Sequence, residues 1–288
     1  MEHYPTFMRR IITLSCLAFI AVVAFAAQKR IMVNTAEEFI KALGSNREVV
    51  VCNEDGLLLT PAIEKMARNK ELKMFDYSTD GLQTGIMYDQ DTDGVGLYIS
   101  GIKNLTITSN VKGDRRSIEV TPRYVNVLTF VNCENIKLTD LLLGHTKDGY
   151  CSNGVVGFSK CKDISIDNCG LFGCGTEGVE LRESSHFNMT DSEIFRCSYY
   201  IMHIIGSSDV NFTNCVFYEN REFEQVTITS SCTDVVFDHC VFTDNQGTLF
   251  DLHDQSNVKL RRCVISHGGN ISNSPIECDE DCIWVTRR

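Results

Sequence analysis

Asp209-Val210-Asn211-Phe212-Thr213-Asn214-Cys215-Val216-Phe217 decides the fold. Val210 and Phe212 alternate with polar residues, the period of a short strand with one buried face. Asn214 marks a turn, and Phe217 lies on a second strand. Upstream, Tyr200-Ile201-Met202-His203-Ile204 reads as a third strand, closed by Gly206 and Ser207. The same phrase recurs as Asn135-Ile136-Lys137-Leu138, Asp163-Ile164-Ser165-Ile166, His186-Phe187-Asn188-Met189, Asp234-Val235-Val236-Phe237 and Asn257-Val258-Lys259-Leu260. Counted from the apolar second residue, the steps are 28, 23, 23, 25 and 23. A repeat in this range marks stacked units that cannot bury their apolar faces alone.

A unit this short has no room for the crossover helix of a βαβ element. Three short strands per repeat predict an all-β, right-handed, single-stranded parallel β-helix, with coils about 4.8 Å apart. The columns agree. Seven residues after each anchor lie Leu143, Leu171, Ile194, Phe217, Phe242 and Ile265, all apolar. Five after lie Leu141, Cys169, Ser192, Cys215, Cys240 and Cys263. Eight before lie Leu128, Val156, Val179, Met202, Thr227 and Phe250. The 25-residue step breaks that last column at Thr227, so Val226 and Ile228 are expected to take the inward places. Gly96–Ile99 and Asn104–Ile107 read as an earlier coil. Thr35-Ala36-Glu37-Glu38 has capping-box spacing ahead of Phe39, Ile40 and Leu43, with Gly44 ending the run. A short helix there would cap the first coil, whose core and strand edge are otherwise open.

Residues 1–26 read as a secretory signal peptide. Arg9 and Arg10 precede an apolar run from Ile11 to Phe25, and Ala24-Phe25-Ala26 fits a cleavage site. The expected organisation is the leader at 1–26, a cap helix and first strand at 27–60, coils over 61–268, and a C-terminal tail or cap at 269–288. The expected location is periplasmic, cell-surface or secreted, with no membrane span in the mature chain. The 288 residues carry 27 basic and 38 acidic side chains, a net charge of −11. That balance excludes the basic footprint nucleic acid requires.

The chain has 14 cysteines, which in an exported protein would suggest a disulfide framework. The columns argue otherwise for seven of them. Cys169, Cys215, Cys240 and Cys263 share one inward place, and Cys133, Cys161 and Cys232 share another. Parallel stacked side chains are poorly aimed for bridging, so these are expected as core thiols. Cys278 and Cys282 lie past the last coil and are expected to form a local disulfide.

Inward columns are structural, so chemistry belongs to outward columns and turns. Seven before the anchors lie Thr129, Gly157, Glu180, His203, Ile228 and Asp251; five before lie Val131, Ser159, Arg182, Ile205, Ser230 and His253. Glu180, Arg182 and His203 therefore meet on adjacent coils, a carboxylate, a guanidinium and an imidazole suited to proton transfer on an acidic sugar. Tyr200, Asp251 and His253 are candidate substrate contacts. Asp89-Gln90-Asp91-Thr92-Asp93-Gly94 has the spacing of a calcium loop, and Asp89, Asp91 and Asp93 are candidate ligands. Ser100, however, stands where such a loop needs its bidentate Glu. His145, Tyr150 and Glu177 are candidates for convergence above the coils, in turns rich in glycine.

The repeat, the cap helix and the leader together resemble the parallel β-helix proteins of the pectate-lyase-like superfamily, and more closely exported bacterial β-helix repeat proteins. The phrases carrying the likeness are Asn135-Ile136-Lys137-Leu138, Gly144-His145-Thr146 and Gly173-Cys174-Gly175-Thr176, and it covers about residues 31 to 268. It implies lyases, hydrolases, epimerases or non-catalytic adhesins. The paired outward aspartates common in its hydrolases are missing here. Asp251-Leu252-His253-Asp254 is similar to the Asp-Pro-His-Asp motif of the alginate C5-epimerases, with Leu252 in place of proline. The expected function is an exported β-helix that binds carbohydrate or serves as a surface or periplasmic module. The alternative is a polysaccharide lyase or epimerase acting on an acidic, uronate glycan, with calcium as the one candidate cofactor.

Overall fold

The computed structural model describes residues 28–79, 82–146, 153–173, 175–221 and 224–285. The leader, together with Tyr150, Cys151 and Cys174 of the glycine-rich turns, lies outside the described residues. The rest is a right-handed parallel β-solenoid with three sheets, A, B and C. Each coil runs from C to A to B. One coil is Glu177–Arg182 in C, Ser185–Thr190 in A and Glu193–Phe195 in B. The next is Tyr200–Ile205, Ser208–Thr213 and Val216–Tyr218. Sheet A has ten strands; B and C have nine each.

The anchor columns stack as the spacing predicts. Ile136 pairs with Ile164, Ile164 with Phe187, Phe187 with Val210, Val210 with Val235 and Val235 with Val258. Inside, aromatic rings stack between coils. Phe212 and Phe237 lie 4.6 Å apart at 7°, and both meet Phe217 edge-on.

The recurring first residue of the phrase has a backbone cause. Asn104, Asn135, Asp163, His186, Asp209 and Asp234 all have φ between 52° and 57°. The ladder skips them: Glu134 pairs with Lys162 and then Ile136 with Ile164. Asn, Asp and His are the non-glycine residues most at ease in this left-handed region. They also bond between coils. Asn135 Nδ2 donates to Asn104 Oδ1 at 2.9 Å, and His186 Nδ1 lies 2.8 Å from Asp163 Oδ1.

The cysteine columns are hydrogen-bonding ladders at the turns. From C to A, the backbone N–H of Cys133 donates to Cys161 Sγ, that of Cys161 to Ser184 Oγ, that of Ser184 to Ser207 Oγ, and that of Ser207 to Cys232 Sγ. From A to B, Cys169 N–H donates to Ser192 Oγ, and Cys215 and Cys240 donate to carbonyls of the preceding coil. Serine and cysteine therefore alternate in one role. All seven thiols are buried and free.

The capping box at Thr35 forms, with both reciprocal bonds, and starts the helix α1, Ala36–Ala42. Before it, Lys29–Val33 pairs with Arg47–Val51 and extends sheet A outward. A second helix, α2 (Thr60–Arg68), begins with Pro61 at its first turn and buries Ala62, Ile63 and Met66. A regular coil is also interrupted at Gly85–Asp91, which pairs antiparallel with Gly94–Ser100 as a hairpin. At the other end, Glu277–Cys278 joins sheet A and Ile283–Val285 joins sheet B. Among the described residues, no helix is long and apolar enough to cross a membrane.

Two places depart from the regular coil. Cys278 and Cys282 are free thiols. Cys278 pairs with Leu260 in sheet A, and Cys282 packs against the core just before the sheet B strand. In the 25-residue coil, the outward places belong to Thr227 and Thr229, opposite His203 and Ile205, as the broken column at Thr227 predicts. Val226 and Ile228 point inward and are fully buried. One extra residue is absorbed before Glu224 and the other at the following turn, where Ser230 and Ser231 both enter the left-handed region.

Candidate functional site

The outward face of sheet C gathers the candidates. Its central row is Tyr98, Thr129, Gly157, Glu180, His203, Thr227 and Asp251, one residue per coil in direct register. A parallel row carries Ser159, Arg182, Ile205 and Thr229. Parallel strands hold successive side chains about 4.8 Å apart, so these rows run as a floor across the outer side of sheet C, with Thr129, Gly157 and Thr227 buried and Glu180, His203 and Asp251 half-buried.

Glu180 and His203 are register partners on adjacent strands. Arg182 Nη2 donates to Glu180 Oε1 at 2.6 Å along the same strand. Burial lowers the His203 pKa; Glu180 opposes that shift and Arg182 adds to it. The neutral imidazole is therefore favoured, with one ring nitrogen able to accept a proton. Tyr200 leans over it, ring to ring at 5.9 Å. Further along, His253 Nε2 lies 2.6 Å from Asp251 Oδ2, and Asn273 Nδ2 donates to Asp251 Oδ1. Asp251 is thus held by two neighbours, with Leu252 buried in the core beside it.

Several contributors carried no period in the sequence. Phe75, Met87 and Val131 form a small apolar cluster with Tyr98 on this same side of sheet C. Tyr77 joins it, with its hydroxyl 2.9 Å from that of Tyr98. The segment after α2 therefore raises an aromatic wall at one end of the floor. Gly157 lowers the floor beside Glu180: a Cβ there would meet Asn126 Nδ2 at 2.6 Å. Thr227 is 9% exposed, and its hydroxyl has no hydrogen-bond partner among the described residues. The broken column pointed to Thr227 but not to the state of its hydroxyl.

Glu177, at the start of the strand bearing Glu180, is buried. Burial, with the nearby Glu180 carboxylate, pushes its pKa up to about 8. His145 is also buried; its Nε2 lies 3.0 Å from the Val125 carbonyl oxygen, and burial lowers its pKa. Gly173, at φ 112°, packs against the His145 backbone, where a Cβ would meet its nitrogen at 2.8 Å. These two residues serve the turns, and their expected third partner, Tyr150, lies outside the described residues.

The candidate calcium residues lie along a hairpin. Asp89 and Asp91 lie on the hairpin strand and Asp93 in its two-residue turn. Asp89 accepts from the Tyr77 hydroxyl, Asp91 from the Thr92 N–H, and Asp93 from the N–H groups of Arg123 and Tyr124. An extended hairpin spreads carboxylates that a calcium loop would curl around one ion. Among the described residues no group of three or more His, Cys, Asp or Glu is gathered to hold a metal.

Residues 145–286 match the family described as the right handed beta helix region. The match spans just under half of the chain, and the fold is a right-handed β-helix. The solved structure of pectate lyase Pel9A is similar to the β-helix protein, with a TM-score of 0.53 and 11% identity, covering 87% of this chain and 68% of that one. The alginate lyase from Paenibacillus sp. str. FPU-7 aligns over 86% of this chain and 99% of that one, at 10% identity and a TM-score of 0.40. No curated protein sequence matches the chain. At such identities the likeness carries the fold, and the activity has to be argued from the face of sheet C.

Proposed function

We propose that this is an exported β-helix protein that binds a glycan chain along the outer face of sheet C. The observation that carries the reading is the central row from Tyr98 to Asp251: seven register-matched positions, polar over most of their length, with aromatic rings at Tyr98 and Tyr200. Glycans present alternating hydroxyls and flat apolar ring faces. A row of polar side chains flanked by tyrosines meets both needs, since a Tyr ring offers an apolar body with a polar tip. A rigid parallel sheet also holds the row in place without ordering cost on binding. Export to the periplasm, cell surface or medium follows from the leader read in residues 1–26.

The floor supports binding better than cleavage of a uronate chain. In its two rows Arg182 is the guanidinium, and it is already paired with Glu180. A uronate lyase or epimerase needs a free cation or metal to neutralise the sugar carboxylate. A glycan array probed with the chain lacking its leader tests the reading. We expect retained glycans, with signal lost in Tyr200→Ala and His203→Ala while the thermal midpoint is kept. Retention of none, or retention indifferent to both substitutions, would remove the sheet C face from consideration.

A further inference from the structure

One outward row of sheet A runs in register along the solenoid, from Arg30 and Glu48 at one edge to Lys259 and Glu277 at the other. The inward row beside it runs from Ile31 to Cys278. Its members between, Val49 to Leu260, are buried, while Ile31 and Cys278 are only half-buried. Both stand on terminal strands, Lys29–Val33 and Glu277–Cys278, which lie at the two edges of sheet A among the described residues. The edges differ in charge. Lys29 and Arg30 mark the first, and Glu277, Asp279, Glu280 and Asp281 mark the second. Within the chain each end of the row already alternates in sign: Arg30 lies 3.4 Å from Glu48, and Lys259 lies 3.9 Å from Glu277.

We propose that a second copy of this chain docks head to tail on the C-terminal end, its Lys29–Val33 strand pairing in parallel with Glu277–Cys278. One further step of the row brings the second copy's Arg30 beside Glu277 and its Ile31 beside Cys278, so the alternation of charge and the inward column both continue. The backbone requires the same register. Lys29 N–H donates to the Asn46 carbonyl, and the Val33 carbonyl accepts from Cys52 N–H, so Lys29, Ile31 and Val33 turn their backbone groups to Arg47–Val51. Neighbouring residues of a strand turn these groups to opposite sides, so Arg30 and Met32 aim theirs at the open edge. At the far edge Asp279 N–H donates to the Leu260 carbonyl, so Cys278 aims its own groups outward. In the proposed register Cys278 N–H meets the second copy's Arg30 carbonyl, and the second copy's Met32 N–H meets the Cys278 carbonyl.

The end that receives the copy is also apolar. Trp284 extends the inward column of sheet B one coil past the buried Ile265 and is 45% exposed. Ile283 and Val285 beside it are exposed as well. At the other end α1 closes the core, with Phe39 and Ile40 buried. An uncovered last coil is a template for another chain. Tail-to-tail contact would set the four carboxylates against their own copies, whereas head-to-tail contact sets them toward Lys29 and Arg30. Such an interface is heterologous and does not close on itself, so copies add in series.

Sedimentation velocity of the chain lacking its leader, over a wide range of concentration, tests this. We expect the mean mass to rise with concentration and to pass that of a dimer. Arg30→Glu and Glu277→Arg should each weaken association roughly threefold to tenfold, since both side chains are exposed and their pairing is worth little more. The two substitutions in one chain should restore association, because every junction then carries the pair reversed. Met32→Pro removes an N–H aimed at the open edge and keeps the bonds to Arg47–Val51, so it should abolish stacking while the thermal midpoint is nearly kept. A chain that stays monomeric up to about 1 mM, a closed dimer with nothing larger, a charge swap that restores nothing, or stacking indifferent to Met32→Pro overturns the proposal.

Discussion

Glu180 and Arg182 bond to each other at 2.6 Å along one strand, and the next coil sets His203 directly beside Glu180. Two residues apart on a strand means one face, and register pairing brings the third residue alongside. The three are therefore electrically linked. Burial lowers the His203 pKa, Glu180 raises it and Arg182 lowers it.

His203 should titrate below the ordinary imidazole value of about 6.5. A folded pKa below the unfolded one means that the unfolded chain binds the proton more readily. The contribution of His203 to stability is thus complete above the unfolded pKa and is lost as pH falls through it towards the folded value. Glu180→Gln should lower the His203 pKa further, and Arg182→Gln should raise it. NMR titration of the imidazole C–H resonances reads both shifts, and shifts of opposite sign would refute the linkage.

Glu177 behaves in the opposite sense. Its carboxyl is raised to about 8 by burial and by Glu180. The unfolded chain releases that proton near the usual carboxylate range, so Glu177 progressively opposes folding as pH rises from about 4.5 to about 8. Glu177→Gln keeps the shape and removes the ionisation. It should leave stability nearly unchanged below about pH 4 and raise it by about 1–3 kcal/mol at pH 8. Urea midpoints measured at both pH values check this, and an equal effect at both would show that the gain is not ionic.

The turn thiols should behave as core. Burial raises the Cys169 pKa to about 12 and pushes Cys240 up as well. Cys133, Cys161, Cys169, Cys215, Cys232, Cys240 and Cys263 should stay unmodified by a thiol reagent until the fold is lost. Cys215→Ser should cost less than about 1.5 kcal/mol, since Ser192 fills the same column one coil earlier. Cys215→Leu should cost about 1–3 kcal/mol through overpacking. Mass-resolved labelling and thermal midpoints measure these outcomes.

Asn135 tests the backbone cause of the repeat. Its φ is 54°, and its side chain donates to Asn104. Asn135→Ala should cost about 1–2 kcal/mol, because a β-carbon crowds the carbonyl in this conformation. Asn135→Gly should cost less, since glycine enters the region freely. Reversal of that order in chemical denaturation would place the value of Asn135 in its side-chain bond alone.

The fold was legible because a solenoid writes its contacts into its period. Each coil packs on the next at a nearly constant interval, so Ile136, Ile164, Phe187, Val210, Val235 and Val258 announce their own stacking, and Cys215 and Ser192 announce a shared turn. The row Glu180–His203–Asp251 was legible for the same reason. Where the period slips, so does the reading. Residue type placed Val226 and Ile228 inward, but coil lengths alone could not show that one extra residue enters before Glu224 and the other at Ser230 and Ser231.

What lies outside the repeat depended on tertiary structure. The hairpin at Gly85–Ser100 spreads Asp89, Asp91 and Asp93, because pairing with Leu97 and its neighbours favours extended backbone over an ion-binding curl. Cys278 ends a strand that continues sheet A, and Cys282 directly precedes one that continues sheet B. The wall of Phe75, Tyr77 and Tyr98 comes from residues with no common spacing. By itself the sequence determined the architecture, the inward and outward columns and the thiol ladders, because those are set by nearest-neighbour stacking at a fixed interval. Only the tertiary structure decided the neutral state of His203, the raised pKa of Glu177 and the unpartnered Thr227 hydroxyl. These depend on burial and on charges from several coils at once, which no period records.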